Sequence, residues 1–299
     1  MMAAQNVPAV NGEIRENELM SRHTSWRVGG PAGVFFKPDG LDDLSQFLRS
    51  LESNVPVFWF GLGSNLLVRD GGLPGVVIAT AGIFNVLEKL REHRVRVGAS
   101  VACTQLARQC VRWDFGPSEF FAGIPGLLGG ALAMNAGAHG GETWERVRSV
   151  QTIDRFGEIR QRFPDEYVVG YRNVQGPTDE WFVEAELEFD PDAIASMETL
   201  KEMLERRKDT QPLGLPTCGS VFRNPPGDHA ARLIDACGLK SCRIGEAEVS
   251  EKHANFIVNR GDASARDIEN LIRHVQQTVA DQTGVELIPE VKIVGEDTI

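Results

Sequence analysis

The chain has 299 residues, 42% hydrophobic and 24% charged, with a formal net charge of −11. That is the composition of a soluble globular protein long enough for two or three domains. So acidic a balance argues against nucleic acid, whose phosphates need basic partners, and no run of about 18 apolar residues offers a membrane span. The five cysteines, Cys103, Cys110, Cys218, Cys237 and Cys242, are odd in number and form no C-x-x-C. A disulfide framework or metal site is therefore not expected, and a reducing cytoplasm fits. The leader MMAAQNVPAVNGEIRENELM has neither a charged n-region nor an apolar h-region, and reads as a frayed polar segment.

Along the chain, Leu41, Leu44, Leu48 and Leu51 recur at helical spacing after Asp39, a plausible N-cap. Strands are expected at Val55–Phe60, Val76–Ala79 and Val95–Gly98, then a helix from Thr104 to Trp113 with Cys103 and Cys110 as small core residues. Val150–Ile153 and Trp181–Phe189 read as strands, the second alternating with period two. Asp190 to Thr210 reads as a charged helix with Ile194, Met197, Leu200 and Leu204 on its apolar side. Gln211–Pro216 breaks it as a linker. A last α+β unit follows, with a helix at Ala230–Cys237 stopped by Gly238 and a strand at Asn255–Asn259. Ser264-Ala-Arg-Asp267 forms a capping box opening a helix with the stripe Ile268, Leu271, Ile272, Val275 and Val279. Gly284 ends it, and a strand Val285–Val294 closes the chain.

Two glycine-dense segments carry the strongest chemical signal. Gly61-Leu-Gly-Ser-Asn-Leu66 follows a strand and presents backbone N–H groups of the kind that bind phosphate. Ala122-Gly-Ile-Pro-Gly126 opens a second run to Gly141 holding seven glycines in twenty residues, interleaved with leucine and isoleucine. Glycine costs backbone entropy on folding, so this run implies close approach of main chain to something bulky and polar. Two such loops about sixty residues apart suggest one dinucleotide held from two sides. Neither is the Gly-x-Gly-x-x-Gly fingerprint, and no Walker lysine follows. A tight turn is the alternative for each.

Three further clusters follow. In Cys218-Gly-Ser-Val-Phe-Arg-Asn-Pro225, Ser220 is a small donor beside a glycine, while Arg223 and Asn224 suit phosphate or sugar. The bland reading is a β-turn. In Ser250-Glu-Lys-His-Ala-Asn255, His253 and Asn255 share a face if the segment is strand, and His253 is either a ligand contact or a partly buried histidine. Glu290 is a carboxylate in a mainly apolar terminal strand, so it is paired or functional.

In this order the segments TSWRVGGPA, GLGSNLLVRD, AGIPGLLGGALAMNAGAHG, Tyr171-Arg172, CGSVFRNP, Gly238-Leu-Lys240, SEKHANFIVN and PEVKIVG resemble the UDP-N-acetylenolpyruvoylglucosamine reductases, over about residues 20 to 295. The resemblance implies an α+β fold: an FAD-binding domain of the vanillyl-alcohol-oxidase type in two subdomains, 20–84 and 85–210, and a substrate-binding domain, 211–299, whose last strand returns to the FAD domain in some arrangements. It places noncovalent FAD on Gly61, Leu62, Gly63, Ser64, Asn65 and Leu66, and on Ala122, Gly123, Ile124, Pro125, Gly126, Gly129, Gly130, Asn135 and Gly137. His139 is the one candidate for a covalent link, and the resemblance argues against it.

The same resemblance makes Arg172 the ligand of the enolpyruvyl carboxylate, Ser220 the proton donor and Glu290 its assistant. Arg223, Asn224, Lys240, His253 and Asn255 fall to substrate binding. It implies NADPH as reductant, a UDP-sugar as substrate, and a monomer in the cytoplasm serving peptidoglycan synthesis, hence cell shape and division. Val174, two positions past Arg172, stands where serine is common, and Ser241 stands where glycine usually follows Gly-Leu-Lys. Another FAD-linked oxidoreductase of this fold, acting on an alcohol or hydroxy acid, would share the glycine loops but has no use for CGSVFRNP or SEKHANFIVN. A noncatalytic binding module would need neither Ser220 nor Glu290.

Overall fold

A computed structural model gives the structure of the chain and describes residues 10–298. Of the leader expected to be frayed, residues 1–9 lie outside the described residues, whereas Glu13–Leu19 is a strand at the edge of a four-stranded sheet, its backbone bonded to a neighbouring strand. The chain divides into two units, each discontinuous in sequence. Among the described residues, the first holds 10–16, Val34–Gly61 and Gly75–Leu200; the second holds Asn17–Gly33, Leu62–Pro74 and 201–298.

In the first unit, strand Val57–Phe60 pairs in parallel with the Val76–Ala79 part of a strand that begins at Leu73. Helix α1 (Leu41–Ser50) packs there through Leu44, Phe47 and Leu48, all buried with Phe36, Val76 and Ile78. Its N-cap is Gly40, with no side-chain cap. Asp39 does not cap it, because the local carboxylate belongs to Asp43, which accepts from the backbone N–H groups of Asn11, Gly12 and Asp39 at 2.7 to 3.0 Å.

A five-stranded antiparallel sheet forms the rest of that unit's framework. Its order is Ile159–Arg162, Val147–Asp154, Glu180–Glu188, Arg94–Gly98 and Leu87–Lys89. The central strand alternates as the sequence does, burying Val183, Ala185 and Leu187. Helix α2 (Cys103–Arg112) buries Cys103, Leu106, Ala107 and Cys110 on one face. Helix α3 (Leu128–Met134) lies inside the second glycine run. The charged helix is shorter than its composition suggests. Helix α4 spans Met197–Thr210, and Ile194 lies outside it, 82% exposed. Asp190 and Pro191 sit in a turn, where Asp190 accepts from the N–H of Asp192. Such side-chain-to-backbone bonding competes with a helical start.

The second unit is built on helices α5 (Ala230–Ala236) and α6 (Ala265–Thr283). Ser264 and Asp267 make the expected reciprocal capping box, at 3.0 and 2.9 Å, and the stripe Ile268, Leu271, Ile272, Val275 and Val279 is buried. Trp26 and Phe222 fill the same core. A three-stranded sheet runs Arg243–Ile244, Ala247–Val249, Ile257–Asn259. The C-terminal strand is only Lys292–Val294, parallel to Leu66–Val68. Pro289 interrupts the longer strand expected there, since proline cannot donate to a ladder; it makes a single bridge to Phe222.

Candidate active site

In the first unit Gly61, which opens the first glycine segment, lies against Leu127 of the second. A Cβ built on Gly61 would lie 3.4 Å from Leu127 Cδ1, ordinary contact distance. The second segment is pinned to the sheet end: the N–H groups of Leu128 and Gly129 donate to the carbonyls of Val101 and Ala99 at 2.9 and 2.8 Å. Gly129 is needed for that closeness, since its Cβ would stand 3.1 Å from Ala99 Cβ. Gly126, at φ +124°, turns the chain into α3. Beyond it Gly130 is exposed, and a Cβ there would meet nothing within 4 Å. Ala122 and Ile124 are buried, whereas Pro125 is exposed.

Arg172 is brought to this segment. It occupies the two-residue turn Tyr171–Arg172 joining strands Val168–Gly170 and Asn173–Gln175. Its φ is +52°, a left-handed backbone that non-glycine residues adopt mainly where surrounding structure holds them. Its Nη2 donates to the carbonyl of Gly137 at 2.7 Å, and the guanidinium lies 5.6 Å from the Tyr171 ring centre. Val174 faces Val169 across the hairpin, so the departure from serine places an apolar cross-strand pair there. Asn135, read as a cofactor residue, is 1% exposed and uses its amide within the protein. It donates to Glu142 Oε2 at 2.7 Å and to the carbonyl of Gly170 at 3.2 Å, and accepts from the N–H of Trp144 at 3.0 Å.

In the second unit, Leu62 is 46% exposed beside Gly63, whose φ of +60° aims the turn. Ser64, Asn65 and Leu66 are half-buried. Ser220 and Glu290, seventy residues apart in sequence, are brought together by the bridge between Phe222 and Pro289. The N–H of Glu290 donates to the carbonyl of Val221 at 2.7 Å, and that of Arg223 to Ile288 at 2.9 Å. Both Ser220 and Glu290 are half-buried. Burial above all, with the Glu290 carboxylate adding to it, pushes the Cys218 thiol well above its ordinary pKa, so the sulfur stays protonated beside that carboxylate.

The remaining candidates differ in what they touch. Asn255 is 4% exposed and brackets the backbone of Phe222, accepting from its N–H at 2.9 Å and donating to its carbonyl at 2.8 Å. It fixes the segment that carries Ser220. Asn224 accepts from the N–H of Ala230 at the start of α5, at 3.1 Å. Lys240 pairs with Asp235 at 2.8 Å. The Nε of Arg223 is buried and has no hydrogen-bond partner among the described residues. His253 does not share a strand face with Asn255, because the strand begins only at Ile257. The two lie in a turn where His253 Nδ1 accepts from the N–H of Asn255 at 3.3 Å. Burial, helped by Lys240, lowers the His253 pKa, favouring a neutral ring whose Nε2 carries the proton.

Sequence reasoning missed Glu142 and Trp144, which hold Asn135, and the closeness of Cys218 to Glu290. Nothing local in the sequence marks those pairings. Among the described residues no group of three or more His, Cys, Asp and Glu could hold a metal ion, and no helix is long and apolar enough to cross a membrane.

The glycine cradle fits a flavin nucleotide. In the first unit, main chain at Gly130 can be approached closely: the residue is exposed and a Cβ there would meet nothing within 4 Å. This is a flavin-binding protein: residues 32–161 match the model of an FAD-binding domain, and residues 211–294 match the C-terminal domain of UDP-N-acetylenolpyruvoylglucosamine reductase. The reductase of that name from Alkalilimnicola ehrlichii is 57% identical over 99% of both chains. That from Methylococcus capsulatus is 56% identical over 98% of this chain and 97% of its own. The crystal structure of the Thermus caldophilus reductase superposes with a TM-score of 0.80 at 31% identity, covering 94% of this chain and 99% of that one. The chain belongs to the UDP-N-acetylenolpyruvoylglucosamine reductase family, an FAD-dependent oxidoreductase family.

Proposed function

We propose that this enzyme reduces the enolpyruvyl group of UDP-N-acetylglucosamine enolpyruvate to the lactyl ether of UDP-N-acetylmuramate, with NADPH as the ultimate reductant, in peptidoglycan precursor synthesis. Bound noncovalently, FAD would supply hydride chemistry for reduction of the vinyl group. Gly61–Leu66 and Ala122, Gly123, Ile124, Pro125, Gly126, Gly129, Gly130 and Gly137 hold it; Asn135, expected among them, is set aside because its amide is bonded within the protein. Arg172 binds the substrate carboxylate and stabilises the negative charge that develops next to it when hydride arrives; a guanidinium suits this because it binds carboxylate through two parallel hydrogen bonds. The Ser220 hydroxyl gives its proton to the α-carbon. A serine hydroxyl is a weak acid, so the step depends on a strongly basic, carbanion-like partner within hydrogen-bond reach. Glu290 assists at the same carbon. Arg223, Lys240 and His253 face the rest of the substrate.

The observation that carries this reading is the Arg172 turn, a strained cationic position fastened to the carbonyl of Gly137 in the second glycine segment. Functionally we divide the chain into two FAD subdomains, 20–84 and 85–210, and a substrate domain, 211–299. We place the enzyme as a monomer in the cytoplasm, in line with five free cysteines and an acidic balance, with no nucleic-acid or membrane partner, serving cell shape and division.

The test is a pair of half-reactions on purified protein. NADPH should bleach a yellow chromophore, and the enolpyruvyl UDP-sugar should restore it. Acid precipitation should release the chromophore into the supernatant. Bleaching without substrate-dependent recovery would overturn the assigned substrate, and colour left in the pellet would overturn noncovalent binding.

A further inference from the structure

Asn135 has a place in the first unit that flavin binding does not explain. It is the C-cap of α3, at φ 47° and ψ 54°, the left-handed conformation in which asparagine often ends helices. Its side chain is then bonded to three partners on two separate pieces of chain, Glu142–Trp144 and Gly170. Oδ1 accepts from Trp144 N–H, while Nδ2 donates to Glu142 Oε2 and to the carbonyl of Gly170. The partners fix which way the amide points, since one is a donor and two are acceptors. Gly170 is the last residue before the Tyr171–Arg172 turn, and Gly137, which Arg172 itself contacts, follows Asn135 by two residues. The hairpin that carries Arg172 is thus fastened at two points to the end of the glycine segment: once by the Arg172 guanidinium and once by Asn135.

The first fastening cannot do the positioning alone. A guanidinium on a long side chain must be released in part to take a carboxylate, so its bond to the Gly137 carbonyl does not by itself set its place. We infer that Asn135, held by Glu142, is a positioning residue for Arg172: it sets the height of the Gly170–Asn173 turn against the glycine segment, and so places the guanidinium for the substrate carboxylate. The inference rests on the reading of Arg172 as the carboxylate ligand. A misplacement of about 1 Å in such a group costs on the order of 10²-fold in rate.

Asn135→Gly tests it in the intact holoenzyme, because glycine keeps the left-handed cap and removes only the strap. Bleaching by NADPH should proceed at the wild-type rate, while substrate-driven reoxidation falls by about 10²-fold. The double variant with Arg172→Lys should be no slower than Arg172→Lys alone, since residues acting through one another are not additive. Asn135→Asp, which sets a carboxylate against Glu142 and the Gly170 carbonyl, should be impaired likewise. Adding Glu142→Gln, whose amide can donate back, should recover part of the loss. Multiplicative losses in the double variant would overturn the inference, as would wild-type reoxidation in Asn135→Gly. So would reduced flavin content with unchanged reoxidation per bound flavin, which would make Asn135 a flavin contact. Wild-type reoxidation in Arg172→Lys alone would overturn the carboxylate reading and this inference with it, whereas a slow Arg172→Lys beside a normal Asn135→Gly would sink only the inference.

Discussion

Asn65 donates from Nδ2 to the backbone carbonyl of Glu290 at 3.1 Å, and its own carbonyl accepts from the N–H of Lys292 at 3.1 Å. A residue of the first glycine motif thereby brackets the segment that carries the candidate carboxylate, across 225 positions of sequence. On its other side, Glu290 donates to the carbonyl of Val221, next to Ser220. Three segments that looked like separate motifs form one backbone-bonded assembly, and the expected outcomes below follow from what each piece holds.

Arg172→Lys keeps a positive charge but loses the planar fork, so the change is not conservative. Turnover with the enolpyruvyl substrate should fall steeply while flavin reduction by NADPH stays near normal. Stopped-flow measurement of both half-reactions checks it. Equal loss in the two would move Arg172 to the nicotinamide or flavin site.

For Ser220→Ala, folding and bleaching by NADPH should survive, and reoxidation by substrate should drop by about 10²–10⁴-fold, the usual worth of general acid catalysis. If Ser220 only steadied a turn, the cost would be about 0.5–1.5 kcal/mol of stability with near-normal rates. Wild-type product formed in deuterated solvent should carry deuterium at the α-carbon. A variant with wild-type half-reactions would leave Glu290 or water as the donor.

Asn255→Ala removes both bonds to the Phe222 backbone and leaves a buried N–H and a buried carbonyl unmade. Each orphaned group costs about 1–3 kcal/mol, so the denaturation midpoint should fall markedly. Unchanged stability with a raised substrate KM would instead make Asn255 a ligand contact.

Ser241 sits at φ +60°, the backbone that a glycine at this position would adopt without penalty. A left-handed conformation costs a non-glycine residue about 1–2 kcal/mol, partly offset by the extra unfolded-chain entropy of glycine. Ser241→Gly should therefore raise the thermal midpoint with kinetics unchanged. A lower midpoint would mean that the serine side chain compensates for its backbone.

Glu248 is 2% exposed and bonded to Arg260 and Arg243. Hydrogen bonding from Arg260 above all, opposed by burial and reinforced by Arg243, holds its pKa below the usual carboxylate value. A depressed folded-state pKa gives stability that is complete above the unfolded value, about 4.3, and is lost as pH falls through the lower folded one. Wild type should lose stability below about pH 4 more steeply than Glu248→Gln, which has no proton to take up. Parallel acid profiles in urea denaturation would remove Glu248 from the acid response.

The periodic elements and the glycine segments were legible in the sequence because each depends on neighbours only a few positions away. The stripe of α6 and its Ser264–Asp267 box are set within one helical turn of their own residues. The same locality misled at Asp39, where a carboxylate four residues on takes the backbone donors, and at Asp190, where turn bonding displaces the helix start. The roles of Asn135 and Asn255 were not legible. Whether a buried amide meets a ligand or a distant backbone depends on partners thirty or more positions away, Gly170 and Phe222. The sequence by itself determined the periodic elements, where glycine must lie, and which residues are candidates for the chemistry. Only the tertiary structure decided which of them are bonded within the protein, because every buried donor and acceptor must find a partner, and long-range packing sets which one it finds.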